Sequence, residues 1–247
     1  MTAPVCIIIP CYNEAERLPA EAFLAYQQAH PDVVFCFVND GSSDQTAQVL
    51  ATLQQRNPVQ IDVVNLAQNQ GKSGAVRAGM LHSVERGYTY LGYFDADLAT
   101  PLSEIDNLRQ VLEQHPDCVF VMGSRIKHLG VNIQRKAFRH YVGRIIATLI
   151  STILKLPVYD TQCGAKLLRR EVVGNVFRDA FISPWLFDVE LLARLVGLFG
   201  RPNLAGKLLE KPLQEWIEQA DSRISPTYMF RMWAELYRIH RTYQYLR

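Results

Sequence analysis

Short apolar runs alternate with helix-length segments along the first hundred residues. The runs Val5–Ile9 and Val33–Val38 contain only apolar residues and have the length of strands. Val59–Val64 predicts a third strand, and an aromatic run that ends at Phe94 predicts a fourth. Fully apolar runs are typical of parallel strands buried on both faces of a sheet. With the helices predicted between them, such as Leu18–Ala29, they predict an α/β fold with a mostly parallel sheet flanked by helices.

Polar residues follow three of these strands directly. Because the carboxyl ends of parallel strands meet at one edge of a sheet, these residues are predicted to converge on the crevice where such sheets bind ligands. Asp40 is placed to hold a ribose hydroxyl or a base edge, although a simple turn also explains it. The residues at the three strand ends are Pro10, Tyr12, Asn13 and Glu14, then Asp40, then Asp95, Ala96 and Asp97.

Asp95 and Asp97 stand one residue apart directly after the fourth strand. Carboxylates at positions i and i+2 beyond a strand can reach the same point above the sheet, and hard oxygen ligands suit Mg²⁺ or Mn²⁺ that carries substrate phosphates. The same residues are also compatible with an ordinary loop that leads into a helix opened by Pro101. This segment alone does not decide between a metal site and an ordinary loop.

Lys72 lies in a glycine-containing turn, Gly71-Lys72-Ser73-Gly74, at the predicted start of a helix. Backbone N–H groups at a helix start, with a lysine beside them, predict an anion-binding turn. The spacing differs from that of a Walker loop, and the chain has no Gly-x-Gly-x-x-Gly, which disfavours a dinucleotide cofactor.

Composition favours a globular protein without a membrane span. The chain has 247 residues, of which 49% are hydrophobic and 20% charged, which suits one domain over residues 1–225 followed by a C-terminal helix over 226–247. It has no apolar run of about 18 residues and no signal sequence before its first strand. Five scattered cysteines lack metal-ligand spacing and fit thiols in a reducing compartment. We therefore expect a cytoplasmic location, with a peripheral position on the membrane as an option.

The net charge of +2 hides an asymmetry. No acidic residue occurs between Asp117 and Asp160, whereas that segment holds seven basic residues, and five arginines against Glu235 follow Ser222. A chain divided in this way presents a basic face to an anionic partner. Nothing in the sequence resembles a nucleic-acid-binding module, so a phosphate ligand or an anionic membrane is favoured over nucleic acid.

Two amphipathic helices lie within these basic segments. Phe138–Leu154 repeats apolar pairs every four residues, and Pro226–Leu246 has Ser225 as its predicted N-cap. Each helix could lie in a membrane interface or pack on the protein core. The apolar face predicted for the second helix contains Met229, Met232, Trp233, Leu236 and Tyr243.

Six segments resemble, in order and in spacing, the motifs of family 2 glycosyltransferases, which have the GT-A (Rossmann-like) fold. The segments are Ile9–Glu14, Val38–Asp44, Asn69–Gly79, Asp95–Asp97, Gly123–Arg125 and Asp160–Lys166. The last two resemble the branch that glycosylates polyprenyl phosphate, which includes the dolichyl-phosphate glucosyl- and mannosyltransferases. The resemblance implies an inverting enzyme that transfers a hexose from a nucleotide sugar, UDP-glucose or GDP-mannose, to a polyprenyl phosphate with Mg²⁺ or Mn²⁺.

The resemblance also implies roles for individual residues. Asp97 would coordinate the metal that bridges the donor diphosphate, and Asp95 would contact the nucleoside. Arg125 and Arg139 would hold the acceptor phosphate, and Arg223 would contact the donor diphosphate. Ala99 stands where the mannosyl branch often has a glutamine ligand, so water or another side chain would complete the metal shell. The remaining donor-site residues would be Pro10, Tyr12, Asn13, Glu14, Asp40, Lys72 and Ala96.

Two other functions are compatible with the sequence. A hydroxyl acceptor would require a general base, for which Asp188 or Glu190 is the candidate, whereas a phosphate acceptor is already anionic. Both carboxylates could instead cap a helix predicted over Leu191–Leu198. The second alternative is a protein that binds a nucleotide sugar without turnover.

Overall fold

The computed structural model describes residues 3–127, 129–134, 137–217 and 228–244, without the side chains of residues 134, 137–142, 145 and 228–231. Within these ranges the chain forms a seven-stranded sheet and a separate two-stranded sheet. The strands are β1 (Val5–Cys11), β2 (Val33–Asn39), β3 (Ile61–Asn65), β4 (Tyr90–Tyr93), β5 (Phe120–Ser124), β6 (Asn132–Gln134), β7 (Lys166–Arg169), β8 (Leu208–Pro212) and β9 (Glu215–Ile217). The α-helices are α1 (Ala20–Ala29), α2 (Thr46–Arg56), α3 (Gly71–Ser83), α4 (Glu104–Gln114), α5 (Ala137–Leu154), α6 (Arg170–Phe177), α7 (Phe187–Phe199) and α8 (Tyr228–Thr242).

The large sheet has the strand order β3-β2-β1-β4-β7-β5-β8. β7 runs antiparallel to both of its neighbours, and the other neighbouring pairs are parallel. Alternate residues of β1 point to opposite faces: Cys6 and Ile8 join one buried apolar cluster, and Ile7 and Ile9 join the other. The structure therefore confirms the predicted α/β fold, with a mostly parallel sheet that is buried on both faces.

β1 continues one residue beyond Pro10, where the sequence predicted its end. Pairing with β4 stops at Ile8 and Tyr93, whereas pairing with β2 continues to Cys11. The carbonyl of Ile8 accepts the N–H of Phe94, so the backbone polar groups of Ile8 point towards β4. Pro10, two residues further on, has its backbone turned to the same side, but it lies beyond the last residue of β4 that pairs with β1. The missing N–H of proline therefore interrupts no ladder at this position.

β3 begins at Ile61 rather than at the predicted Val59. Val59 lies in a turn after α2 and is 84% exposed. The side chain of the next residue, Gln60, donates to the carbonyls of His30 and Val33, each at 3.0 Å. The backbone carbonyl of Gln60 also accepts the N–H of Phe35 at 2.9 Å, so pairing with β2 begins at Gln60 and Val59 lies outside it.

The C-terminal helix α8 packs on the domain through one face. Trp233, which we predicted on this face, is 51% exposed, because a helix turns about 100° per residue and carries Trp233 away from the buried stripe. Ser225 and the side chain of Met229 lie outside the described residues. The residues that join the core are Met232, Leu236 and Ile239, with Tyr243 packed against it.

The helix predicted over Phe138–Leu154 is α5. Its second half packs on the core, where Ala147, Ile150 and Leu154 are buried. In the described part of the chain, no helix has both the length and the apolar character needed to cross a bilayer.

All five cysteines are buried, and none is in a disulfide. Burial raises the pKa of the Cys6 thiol to about 12 and that of the Cys163 thiol to about 11. Burial also raises the pKa of the Cys36 and Cys118 thiols. The cysteines are therefore small apolar core residues.

Candidate active site

The predicted donor residues that the structure describes lie at one edge of the sheet, where β1, β2 and β4 end. Asp40 follows β2, is 3% exposed, and its Oδ1 accepts the N–H of Gln70 at 2.7 Å. Burial raises the pKa of Asp40, and the N–H groups of Gln70 and Gly71 partly oppose this shift. Asp40 thereby joins the end of β2 to the start of α3, which brings two of the predicted motifs together.

The loop after β1 is held by hydrogen bonds within the loop and by hydrogen bonds to the loop after β2. Asn13 has a φ of 50°, and its side-chain oxygen accepts a backbone N–H of the loop after β2 at 2.9 Å. Glu14 is buried and receives two hydrogen bonds from Arg17, at 3.1 and 3.2 Å. Tyr12 is 38% exposed, so its ring can stack on a ligand, and Pro10 precedes the loop within β1. The sequence analysis did not include Arg17 in this loop, although a basic residue three positions after Glu14 is close enough in the chain to pair with it.

Lys72 reaches the carboxylates that follow β4. Its Nζ lies 2.5 Å from Oδ1 of Asp95. Burial alone would lower the pKa of Lys72, but the nearby charges of Asp95, Asp188 and Asp97 raise it overall, so the amine stays protonated. Ala96 is buried in the core, so a ligand can reach it through its backbone alone. A fixed cation and two carboxylates therefore meet at the sheet edge.

Asp97 is accessible to solvent, and its Oδ1 accepts the N–H of Ala99 at 3.0 Å. The surrounding protein and the charge of Asp95 nevertheless raise the pKa of Asp97. A divalent cation would relieve this repulsion, and carboxylate oxygens suit Mg²⁺ or Mn²⁺. The Ala99 side chain packs in the core, and the described ranges contain no group of three His, Cys, Asp or Glu side chains that could hold a metal. Asp97 therefore fits a cation whose other ligands are substrate phosphates and water.

Gly164, which belongs to the turn before β7, lies directly against Asp95. A Cβ at this position would stand 1.9 Å from Oδ2 of Asp95. The carboxylate can keep its place beside Lys72 only because residue 164 has no side chain. Gly164 lies within the segment Asp160–Lys166 that resembles a family motif, but the resemblance implied no role for this residue.

Arg125 follows β5 and forms an ion pair with Asp160. Its Nε and Nη2 lie 2.6 and 2.7 Å from the two carboxylate oxygens, and its guanidinium lies 5.2 Å from the ring centre of Trp216. Asp160 therefore pairs with the Nε and Nη2 side of the guanidinium, and the role of Arg125 at an acceptor phosphate stays a prediction. Arg139 belongs to α5, but its side chain and all of Arg223 lie outside the described residues.

Asp188 and Glu190 lie inside the first turn of α7, which begins at Phe187, so the predicted helix start at Leu191 is wrong. Asp188 is buried, accepts a hydrogen bond from the Tyr93 hydroxyl, and lies 2.9 Å from Nζ of Lys166. Glu190 is fully buried and accepts the N–H of Ile182 at 2.7 Å. It also accepts from Arg194 and Tyr243, at 2.8 and 2.9 Å. Both carboxylates therefore support the fold beneath the site.

We expect Lys166→Met to destabilise the protein by about 3–5 kcal/mol, because it leaves the Asp188 charge buried without its cationic partner. Asp188→Asn in the same chain should restore most of this loss, since asparagine still accepts from Tyr93 but carries no charge. Urea unfolding of the two variants and the wild type measures both effects. A double variant as unstable as the single one would contradict this account.

Comparisons with known proteins agree with the motifs. The model of the family described as Glycosyl transferase family 2 matches residues 6–177. The dolichyl-phosphate beta-glucosyltransferase of Mus musculus is 32% identical over 95% of this chain and 73% of its own length. The enzyme of the same name from Drosophila melanogaster is 33% identical over 93% of this chain and 71% of its own length.

Solved structures show the same fold. Glucosyl-3-phosphoglycerate synthase from Mycobacterium tuberculosis, in complex with phosphoglyceric acid, matches with a TM-score of 0.68 at 13% identity, over 99% of this chain and 80% of that chain. Its complex with Mn²⁺, UDP-glucose and phosphoglyceric acid matches with a TM-score of 0.65 at 15% identity, over 96% and 80%. The chain therefore belongs to glycosyltransferase family 2, and it is a glycosyltransferase with the GT-A fold.

Proposed function

We propose that this enzyme transfers glucose from UDP-glucose to a polyprenyl phosphate of the dolichyl type, with inversion at the anomeric carbon. The observation that carries the proposal is the meeting of Lys72, Asp95 and Asp97 at the carboxyl edge of the sheet. The relatives named dolichyl-phosphate beta-glucosyltransferase, aligned over almost the whole chain, support glucose as the transferred sugar and a dolichyl-type phosphate as the acceptor.

Different donor-site residues would contact the nucleoside and the diphosphate of the nucleotide sugar. Tyr12, Asp40 and Asp95 would hold the base and ribose, and Asp97 would hold a divalent cation against the diphosphate. Such a cation, when bound, neutralises the charge that develops on the leaving nucleoside diphosphate. Lys72 keeps a positive charge beside the same position, because the surrounding carboxylates raise its pKa.

The acceptor needs positioning more than it needs activation. A phosphate monoester is already anionic at neutral pH, so its oxygen can attack without a general base. Arg125 and Arg139 would orient this phosphate in line with the anomeric carbon. The buried hydrogen bonds of Asp188 and Glu190 leave neither carboxylate exposed to deprotonate an acceptor hydroxyl.

A lipid acceptor also requires contact with a membrane, and the outer face of α8 has suitable chemistry. Trp233 and Tyr237 are 51% and 64% exposed, and the side chains of Arg238 and Arg241 are exposed beside them. Amphipathic aromatic rings with arginines favour the headgroup region of an anionic bilayer. We propose this face as the peripheral membrane contact of the enzyme.

The direct test is transfer of radiolabelled glucose from UDP-glucose to a short polyprenyl phosphate in detergent, with Mn²⁺ or Mg²⁺. We expect a label that partitions into organic solvent, that disappears with a chelator, and that is not formed from the unphosphorylated polyprenol. GDP-mannose serves as the competing donor. Labelling of the polyprenol instead of its phosphate would overturn the acceptor assignment, and faster transfer from GDP-mannose would overturn the donor.

A further inference from the structure

The segment Ser183–Leu186, which precedes α7, touches the start of α3. The carbonyl of Pro184 accepts the N–H of Ser73 at 3.2 Å. A Cβ on Gly71, whose φ is +76°, would stand 2.9 Å from Cβ of Pro184. The first N–H groups of a helix lack hydrogen-bond acceptors within the helix. The Pro184 carbonyl provides an acceptor for one of these groups from outside α3.

The C-terminal helix α8 holds this segment from the other side. The hydroxyl of Ser183, which is fully buried, donates a hydrogen bond to Oε2 of Glu235. The same hydroxyl oxygen accepts the N–H of Leu186 at 2.8 Å and that of Trp185 at 3.3 Å. The carboxylate of Glu235 is a charged acceptor, which makes the hydrogen bond from Ser183 strong. This bond fixes the direction of the Ser183 O–H, so that the lone pairs of its oxygen face the two N–H groups.

Lys72 lies between the two residues that Pro184 contacts. Because Gly71 and Ser73 both pack or bond against Pro184, a movement of Pro184 moves the backbone that carries Lys72. The Lys72 amine in turn meets Asp95 at 2.5 Å. The contacts thus run from α8 through Ser183 and Pro184 to the donor site.

We propose that Ser183 and Glu235 are positioning residues for Lys72, so that α8 contributes to the donor site through them. The proposal deepens the proposed function, because Lys72 is one of the groups assigned there to the donor diphosphate. Glu235 acts through Ser183, and Ser183 acts through the carbonyl of Pro184. Neither residue takes part in the chemistry.

The test that needs no ligand is hydrogen exchange of the wild type and of Ser183→Ala and Glu235→Ala, read on a peptide that spans residues 70–76. We expect exchange there to become about tenfold faster in both variants, because the Pro184 carbonyl no longer holds the N–H of Ser73. Glu235→Gln keeps an oxygen for Ser183 and should restore most of the protection. The same exchange rate in all variants would overturn the proposal.

The matched control is Tyr243→Phe. Tyr243 directly follows α8, and its hydroxyl also joins this part of the chain to the domain, through hydrogen bonds with Glu190 and Arg194. This variant should lower the melting temperature and leave exchange at residues 70–76 unchanged. If it accelerates exchange there as much as Ser183→Ala does, α8 acts through general stability and the positioning role is wrong.

A second readout separates this proposal from the proposed function. In the transfer assay, Ser183→Ala and Glu235→Ala should raise the KM for UDP-glucose about tenfold and leave the KM for the polyprenyl phosphate unchanged. An increase in the acceptor KM alone would contradict the positioning of Lys72. Absence of transfer in the wild type would overturn the proposed function, whereas the exchange experiment would still decide the role of Ser183 and Glu235.

Discussion

Asp97→Asn is expected to reduce metal-dependent transfer about 10³-fold. Asparagine keeps the hydrogen bond from the N–H of Ala99, so the turn after β4 should persist, but its neutral oxygen is a poor ligand for Mg²⁺ or Mn²⁺. Lewis-acid stabilisation of a leaving diphosphate contributes several kcal/mol, and each 1.4 kcal/mol of barrier corresponds to about tenfold in rate. The measurement is the initial rate at saturating donor across a range of Mn²⁺ concentrations.

The control for this substitution is Asp179→Asn, which removes a carboxylate that is 75% exposed and far along the chain from the site. Asp179→Asn should have wild-type rates and the wild-type dependence on Mn²⁺. If Asp97→Asn retained rates within about threefold of the wild type at every Mn²⁺ concentration, Asp97 would have no role as a metal ligand.

Gly164→Ala is expected to lower kcat/KM for the donor about 10²-fold. The new Cβ would stand 1.9 Å from Oδ2 of Asp95, so the carboxylate must move and must lose its place beside Lys72. Displacement of a positioning group by about 1 Å can cost this much in rate. Transfer kinetics and the affinity for UDP-glucose with Mn²⁺ measure the effect.

Gly174→Ala is the matched control, because this glycine lies inside α6 and a Cβ there would meet open space. Alanine in a helix interior is favoured over glycine by about 0.5–1 kcal/mol, so this variant should be fully active and should melt about 1–4 °C higher. Wild-type donor affinity in Gly164→Ala would show that the observed position of Asp95 is not required.

The sequence predicted the fold well where the signal is local. Apolar runs with polar ends located the strands of the first half, and the order of elements predicted their parallel arrangement. The errors at Pro10 and Val59 arose from information that a local pattern lacks. Pro10 is tolerated because β4 ends early, and Val59 is excluded because Gln60 bonds to the segment around Val33.

The site was predicted less completely, for a related reason. The motifs identified Asp95, Asp97 and Lys72, and the structure brings all three together. The pairing of Arg125 with Asp160 joins residues 35 positions apart, and no spacing rule indicates it. The contact of Gly164 with Asp95 depends on β7 entering the sheet between β4 and β5, which a reading of consecutive strands cannot show.

The buried cysteines have a consequence for how this fold can be observed. Maleimides and similar reagents attack the thiolate, and burial with a raised pKa makes that form scarce and inaccessible in the native molecule. Labelling therefore requires a local opening of the structure, and its rate measures the free energy of that opening. Cys6 and Cys36 report on the central strands, whereas Cys163 reports on the turn that adjoins Asp95. The unmodified chain thus carries its own probes, which can show separately how the sheet and the donor edge open.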